Sequence, residues 1–402
     1  KTPGVQITGN SGAPGAGSTI RVRGGSSFIN NDPLIVIDGV PIDFNGLSGA
    51  TNPLSLINPN DIETFDILKD ASATAIYGAR GANGVVMITT KRGKSGAPVI
   101  KYNGFYGVSQ ELKRMKVMSP YDYVAFQIEV NPTGGTFVPG GYPTPTQLYL
   151  SGGTTLDYYR DTAKTLDVQD QLFQLAPATS HSLSVTGGND KTKYVVSGNI
   201  FDQKGIIITS SYKRYQGRFS LDQTFSNKLK VGINANYSYQ QQDGLPVGGL
   251  AFAPSLALMY SAWGYRPVNP SSKSTLALAS PNFEIDQEDG LDPTVNPTQD
   301  FRFNPYLSLK NTYNRNINKD LLANAYVEYR ITPELVLKIT GGINDRLSIA
   351  QRFNNSRTQS GNPNSVKTDF DGNYSIQAKK VDTLIFIYSK IIYKKVRVEN
   401  NK

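Results

Sequence analysis

The chain contains no cysteine among its 402 residues, and only one histidine, one tryptophan and four methionines. Without cysteine there are no disulfide staples, no thiolate metal sites and no thiol nucleophile. A lone histidine, His181, leaves little material for imidazole relays or paired metal ligands. Long hydrophobic runs are missing as well. "LIVI" and "TLIFIY" are strand-sized, far below the roughly 18 apolar residues of a membrane helix, which excludes a helical span but not a barrel. Phosphate-cradling loops are absent too: in "ITTKRGKS" the position five before Gly93 is Ile88, so the P-loop pattern fails, and no G-x-G-x-x-G occurs.

What is plentiful points to strands. Glycine (38) and tyrosine (23) are abundant, while only 38% of residues are hydrophobic, a profile of strands with one wet face joined by polar loops rather than of a helical bundle. The net charge of +9 does not mark a nucleic-acid binder. Residues 366–402 alone carry eight Lys/Arg against four Asp/Glu, and elsewhere basic residues are scattered along alternating segments instead of forming a basic stripe. No nucleic-acid partner is expected.

Residues 1–95 read as a compact α+β domain. In "STIRVRG" Ile20 and Val22 alternate with Arg21 and Arg23, and "DPLIVIDGVPI" holds a buried strand, Leu34 to Ile37, before an Asp38-Gly39 turn. "INPNDIE" carries helix-start chemistry, with Asn58 as cap and Pro59 at the first helical position. "ASATAIYG" predicts a short small-residue helix closed by Gly78, and "GVVMITTK" the next strand. Gly78, Gly81 and Gly84 recur at three-residue spacing just before that strand.

Residues 98–350 alternate persistently. "IKYNGFYGVS" sets Ile100, Tyr102, Gly104, Tyr106 and Val108 opposite Lys101, Asn103 and Ser109; "LKVGINANYSY" sets Leu229, Val231, Ile233, Ala235, Tyr237 and Tyr239 opposite Lys230, Asn234, Asn236 and Ser238. Seven such strands of about eight to eleven residues are expected. The turns "GGNDKT", "SNK" and "TPE" join strands two to three, four to five and six to seven. Connections of about seventy residues fall on the other rim, an asymmetry typical of outer-membrane barrels. Tyr102, Tyr106, Tyr237 and Tyr239, read as lying near strand ends, would suit an interfacial aromatic girdle. A soluble β-sandwich or solenoid also alternates and stays open at this level. Residues 366–402, with an Asp371-Gly372 turn signal, suggest a separate small antiparallel unit.

The segments "NDPLIVIDGVPI", "INPNDIETFDILKDASATAIYGARGANGVVMITTKRG" and "SVTGGNDKTKYVVSGNIFDQKGII" resemble the SusC/RagA-type TonB-dependent transporters of Gram-negative outer membranes. The resemblance implies a mainly β chain: a plug domain over 1–95, then an incomplete antiparallel transmembrane barrel over 98–350, about seven of a family total of about 22 strands. It implies a structural motif of Asp38, Gly39, Asp70, Tyr77, Gly78, Arg80, Gly81 and Gly84, in which glycines permit close backbone approach and turns forbidden to other residues. Arg80, Lys91 and Arg92 are then expected to face a polar lumen. The implied partners are a SusD-like lipoprotein, TonB, outer-membrane lipid and an oligosaccharide or peptide substrate. The resemblance further implies that the chain starts inside the plug, without leader or TonB box, and that 366–402 is half of a carboxypeptidase-regulatory-like domain in an unusual position.

Candidate chemistry is sparse. "NFEIDQEDGLDP" misses the calcium-loop spacing at Ile285 and Gln287. Tyr260, Trp263 and Tyr265 of "YSAWGYRP" offer faces on which a sugar could stack, or that loop packing could consume. No catalytic residue, metal ligand or cofactor site stands out, and an enzyme is not expected. Two other readings remain at this level: a surface or secreted β-protein that binds glycans without transport, and a non-functional remnant of a rearranged transporter gene.

Overall fold

The computed structural model describes residues 4–9, 12–22, 24, 32–42, 53–69, 75–130, 146, 149–161, 167–245, 258–265, 267–268 and 305–354, with four short strand segments between 367 and 397. The N-terminal region is built from a hairpin, β1 (Val5–Gly9) with β2 (Ser18–Val22), and a four-stranded sheet of β3 (Leu34–Ile37), β4 (Val40–Ile42), β5 (Ile62–Leu68) and β6 (Val85–Thr90) in the order β4-β3-β6-β5. β3 and β6 run parallel at the centre and the outer pairs are antiparallel. Every residue of β3 is buried, as a central parallel strand requires. Asp38 (φ 49°) and Gly39 (φ 86°) close the β3–β4 hairpin between the paired residues Ile37 and Val40. Positive φ at both loop positions is the twist-matched two-residue turn that Asp-Gly favours.

The core of this domain gathers Ile20, Ile35, Ile37, Ile42, Leu56, Ile57, Val86 and Ile88, and one residue from outside the domain, Leu322. Two local readings change. Of "ASATAIYG", residues 71–74 lie outside the described residues, and Ala75–Gly81 forms 3-10 turns kinked at Gly78 (φ 56°, ψ −144°) rather than an α-helix closed there. The run has small residues but no apolar i, i+4 face to hold an α-helix against the sheet. Asn58 does cap, accepting from the Asn60 N–H at 3.1 Å, but what it caps is a single 3-10 turn, Pro59–Asp61, cut short because β5 begins at Ile62.

The second region is one antiparallel sheet of seven sequential neighbours: β7 (Gly96–Ser109), β8 (Ala176–Gly188), β9 (Thr192–Lys204), β10 (Ser211–Thr224), β11 (Leu229–Asp243), β12 (Thr312–Arg330) and β13 (Val336–Asn354). The three tight turns are side-chain capped: Asn189 Oδ1 accepts from the Lys191 and Thr192 N–H groups, Ser226 Oγ from Lys228 and Leu229, and Thr332 Oγ1 from Leu335. Such turns fix the register without needing glycine. The opposite rim carries the long connections 110–175 and 244–311, as expected, and one short link, 205–210.

Among the described residues, four α-helices sit in the long connections: α1 (Pro120–Val130), α2 (Val168–Leu172), α3 (Leu258–Gly264) and α4 (Pro305–Lys310). α2, α3 and α4 share a cluster with Ile207 of the short link, so loops from two connections pack together over one rim.

Strands run from 13 to 19 residues, not eight to eleven. The alternation explains the difference. On the outer face β11 is apolar from Leu229 to Tyr239 and then carries Gln241 and Asp243, while β10 turns from Tyr215 to Lys213, β9 from Ile200 to Asp202 and β12 from Leu321 to Lys319. The apolar stretch matches the roughly 9–11 residues of a membrane-crossing strand; the ladder simply continues beyond it. For the same reason Tyr102, Tyr237 and Tyr239 lie inside their strands, while Tyr106 is close to the end of β7. Tyr215 and Tyr239 face each other in register at the upper limit of the apolar band, with rings 6.1 Å apart, the level where amphipathic rings sit. Beyond 366, β14 (Lys367–Thr368) pairs with β15 (Tyr374–Ser375) and β16 (Thr383–Phe386) with β17 (Lys394–Arg397), both antiparallel; Asp371 and Gly372 lie outside the described residues.

Candidate functional site: the interface between plug and wall

The seven-stranded sheet is inverted with respect to a water-soluble sheet. Ile200, Phe219, Ile233, Tyr237, Ile339 and Ile343 are exposed on its outer face, while Ser197, Asn199, Arg218, Asp222, Asn234 and Ser238 are buried on its inner face. No second apolar layer covers the outer residues among the described residues. Burying a row of polar side chains is costly unless each finds a partner. Here Ser197, Arg218, Asp222 and Asn234 find partners in the N-terminal region, while Asn199 and Ser238 bond within the wall.

Contacts run from rim to rim. Asn58 Nδ2 donates to Ser182 Oγ of β8 at 2.8 Å, and Ser197 Oγ of β9 donates to Asp61 Oδ2 at 2.8 Å. Asn236 Nδ2 of β11 donates to the Leu56 carbonyl at 2.7 Å, and Gln216 Nε2 of β10 to the Ser55 carbonyl at 2.9 Å. Gln242 reaches the Pro14 carbonyl at 2.8 Å. Backbones also come close: a Cβ at Gly342 of β13 would lie 2.7 Å from Val40 Cγ2.

The densest point is the end of β3 and β6. Asp38 accepts from the Thr90 N–H at 2.9 Å and from its hydroxyl at 2.6 Å, tying the two central strands together, and Asn234 Nδ2 of β11 donates to the same carboxylate. Arg218 of β10, 3% exposed, donates from Nη2 to Thr90 Oγ1 and to the Lys91 carbonyl, both at 2.6 Å. Asp61, 6% exposed, lies nearby. Burial pushes its carboxyl above the ordinary value, against the lowering pull of the Ser197 hydroxyl and the charges of Arg218 and Lys91. Arg218 Nε and Nη1, Gln216 Oε1 and Asn234 Oδ1 are buried without a protein partner, so the interface is less completely paired than a packed core.

Lower down, Arg92 pairs with Asp222 of β10 at 3.0 Å, and Tyr326 of β12 donates to the same carboxylate. Tyr326 lies over Gly232, where a Cβ would meet its ring at 2.0 Å. Here glycine clears the path by which the tyrosine reaches Asp222.

Of the motif residues, Asp38 is the junction just described. Tyr77 packs beside Leu34, Val36 and Val85 and points its hydroxyl at Met87 Sδ, 3.7 Å away. Gly84 (φ 89°) has Val22 at 3.0 Å and the Leu68 carbonyl at 3.3 Å from an added Cβ, so its close approach is within the plug. Gly78 meets nothing within 4 Å, and Gly81 has no positive φ. Arg80 is exposed, Arg92 reaches the wall, and Lys91 Nζ donates to the Asn60 carbonyl within the plug at 2.6 Å. Asp70 lies outside the described residues.

Among the aromatic loop residues, Tyr265 is 4% exposed and packs with Leu172, Leu258 and Leu309, so its ring serves the loop core. Trp263 is half-buried, and the Tyr260 side chain and the 282–300 acidic stretch fall outside what is described. No cluster of three or more potential metal ligands occurs among the described residues. The alternation had already put Arg218, Asp222 and Asn234 on the polar face. Their pairing with Thr90, Arg92 and Asp38, more than 100 residues away in each case, carries no sequence signal.

Residues 1–85 match the TonB-dependent Receptor Plug Domain. TonB-dependent receptor SusC of Bacteroides thetaiotaomicron is 36% identical over 355 residues, 85% of this chain and 32% of that protein. TonB-dependent receptor P26 of Formosa agariphila is 32% identical over 382 residues, 94% of this chain and 34% of its own length. In fold, the chain is similar to the RagAB peptide importer in its closed-closed state, with a TM-score of 0.65, 24% identity, and coverage of 88% of this chain and 39% of that one. The chain spans about a third of the length of the curated relatives it matches. A plug matched by sequence and seated on the polar face of an inverted sheet leaves one assignment: the chain belongs to the SusC/RagA-type TonB-dependent receptors of the Gram-negative outer membrane.

Proposed function

We propose that this chain supplies the plug and the first wall strands of an importer that carries oligosaccharides or peptides across the outer membrane, with a SusD-like lipoprotein at its outer rim and TonB drawing on the plug. Residues 1–95 are the plug and 98–350 the wall. Residues 366–402 form a separate unit, half of a carboxypeptidase-regulatory-like domain. No catalytic step belongs to this reading. One observation carries it: the polar face of the wall is buried against the plug and hydrogen-bonded to it at Ser182, Arg218 and Asn234, while the apolar face is left for lipid. A domain held by hydrogen bonds in a polar interface can shift by exchanging partners with water, which a greasy interface would resist. The half-buried Trp263 and its neighbour Tyr260 lie in the loops of the outer rim, where a sugar or peptide would first meet the protein.

The test uses the absence of native cysteine. Cysteines at Asn58 and Ser182, whose side chains are 2.8 Å apart, are joined by a short reducible cross-linker in the receptor in its outer membrane. Uptake of labelled oligosaccharide or peptide should stop when the bridge forms and return on reduction. Undiminished uptake through a bridged receptor overturns the requirement for plug movement. Recovery of the native protein as a detergent-free soluble monomer overturns the membrane assignment itself.

A further inference from the structure

The outer face of the wall is not uniformly convex. Between β8 and β11 it holds a hollow of about 400 Å³. Its floor is a pair of glycines, Gly198 and Gly217, directly opposite each other in register, and the same row continues to Leu183 on one side and Tyr237 on the other. Ile200 and Tyr215, one outward position further along, close its upper side.

Neither glycine is explained from within the chain. Neither has a positive φ. A Cβ at Gly217 would meet nothing within 4 Å, and one at Gly198 only the Gln216 carbonyl at 3.9 Å. Other wall glycines do have internal reasons, Gly104 and Gly232 lying under the rings of Tyr102 and Tyr326, while Gly341 of β13 stands alone with open space and no glycine opposite it but Ala325. A glycine in mid-strand weakens the strand, so two side by side with open space above them keep a volume free for something outside the protein.

At the upper corner sits the single histidine. Tyr102 Oη lies 2.7 Å from His181 Nδ1, and the two rings stack 6.2 Å apart. That contact uses Nδ1, and His181 lines the hollow with its second ring nitrogen, Nε2, outside that contact. His181 is level with Ile200, Tyr215 and Tyr239, the row at which the apolar band gives way to Asp202, Lys213 and Gln241. The hollow therefore lies just inside the hydrocarbon, with one polar group at its top.

We propose that this hollow binds an acyl chain of an outer-leaflet lipid, with the carbonyl of its ester or amide linkage at His181 Nε2. The proposal rests on the lipid-facing wall and not on transport. The lining has the right chemistry, since isoleucine, leucine and tyrosine rings match methylenes and a flexible chain fills an irregular volume that a rigid neighbour cannot. The hollow is continuous with the band that already faces hydrocarbon, so its occupant comes from the membrane plane.

The test compares the receptor with G198L, G217L and H181F, each extracted gently and titrated with lipopolysaccharide while bound lipid is counted by native mass spectrometry. The leucines fill the floor and should lower the tightly bound lipid fraction at least tenfold; H181F should lower it about threefold by removing only the polar anchor. Retained heat-modifiable migration on gels establishes that each variant is folded, and G198A serves as a milder filling if a leucine variant is not. Unchanged lipid occupancy in the filled variants overturns the proposal. So does loss of a dimer without loss of lipid, which assigns the hollow to a second copy of the chain.

Discussion

The plug and the wall obey opposite burial rules within one chain. In the plug, Ile35, Ile37, Val86 and Ile88 are buried together in an apolar cluster; in the wall, Arg218, Asn234 and Ser238 are buried and Ile233 and Tyr237 are exposed. The plug is organised by the hydrophobic effect of water. The wall is organised by two solvents, lipid outside and a polar domain inside, and its alternation only makes sense with both present. Each region completes the other, as Leu322 of the wall in the plug's apolar cluster illustrates.

The inner face is the more vulnerable side of this contrast. Arg218→Met keeps much of the volume but removes the Nη2 donor shared by Thr90 and the Lys91 carbonyl and leaves Asp61 with Lys91 as its neighbouring charge. Breaking a buried charged contact of this kind costs about 3–5 kcal/mol. The urea concentration at which the plug becomes protease-sensitive should fall sharply while the wall stays folded. An unchanged release midpoint means that the plug is held by something other than this junction. One step smaller is the opposite inversion. Ile233→Lys puts a charge on the exposed face of β11, and folding into bilayers should weaken by about 2–4 kcal/mol. Tolerance of lysine there, as at Lys213 above the band, shows that Ile233 does not face hydrocarbon. Within the plug, Gly84→Ala meets a φ of 89° and Val22 at 3.0 Å. A loss of about 1–2 kcal/mol is expected, read as a lower plug-unfolding midpoint with no change in the wall.

The contrast also explains what could be read in advance. Alternation gave the seven strands, their order and the polarity of each face, because a period of two survives whichever solvent lies on either side. It misjudged strand length, since a ladder continues past the apolar band into positions such as Lys213, Asp243 and Lys319 that no longer alternate by hydrophobicity. Helix propensity failed at Ala75–Gly81 because small residues permit several tight conformations and the kink at Gly78 chose among them. Asp38 and Gly39 were legible as a turn from their chemistry alone. The second role of Asp38, as acceptor for Asn234, depends on how a domain is seated in a curved wall, and no local pattern encodes that. The glycines at 198 and 217 were invisible for a related reason: their meaning lies in empty space beside them.

The smallest effect concerns protons. Asp61 is the plug carboxylate whose burial raises its pKa above 3.8, so the docked state binds a proton more tightly than the released one. Where the docked proton-bound population exceeds the released one, stability falls as pH rises. Docking is therefore strongest below the unperturbed value's upper shoulder, weakens as pH climbs to the raised value, and is constant above it. This is the reverse of a carboxylate stabilised by a dominant salt bridge, and it follows because desolvation outweighs the help from Ser197, Arg218 and Lys91. Asp61→Asn keeps an acceptor for the Ser197 hydroxyl and removes the titration. The pH dependence of plug release, compared between the two proteins from about pH 4 to 7, should show a wild-type slope that the variant lacks. A variant with the same slope assigns the proton uptake to other carboxylates, and a wild-type slope of opposite sign means that the charges of Arg218 and Lys91, rather than burial, set the state of Asp61.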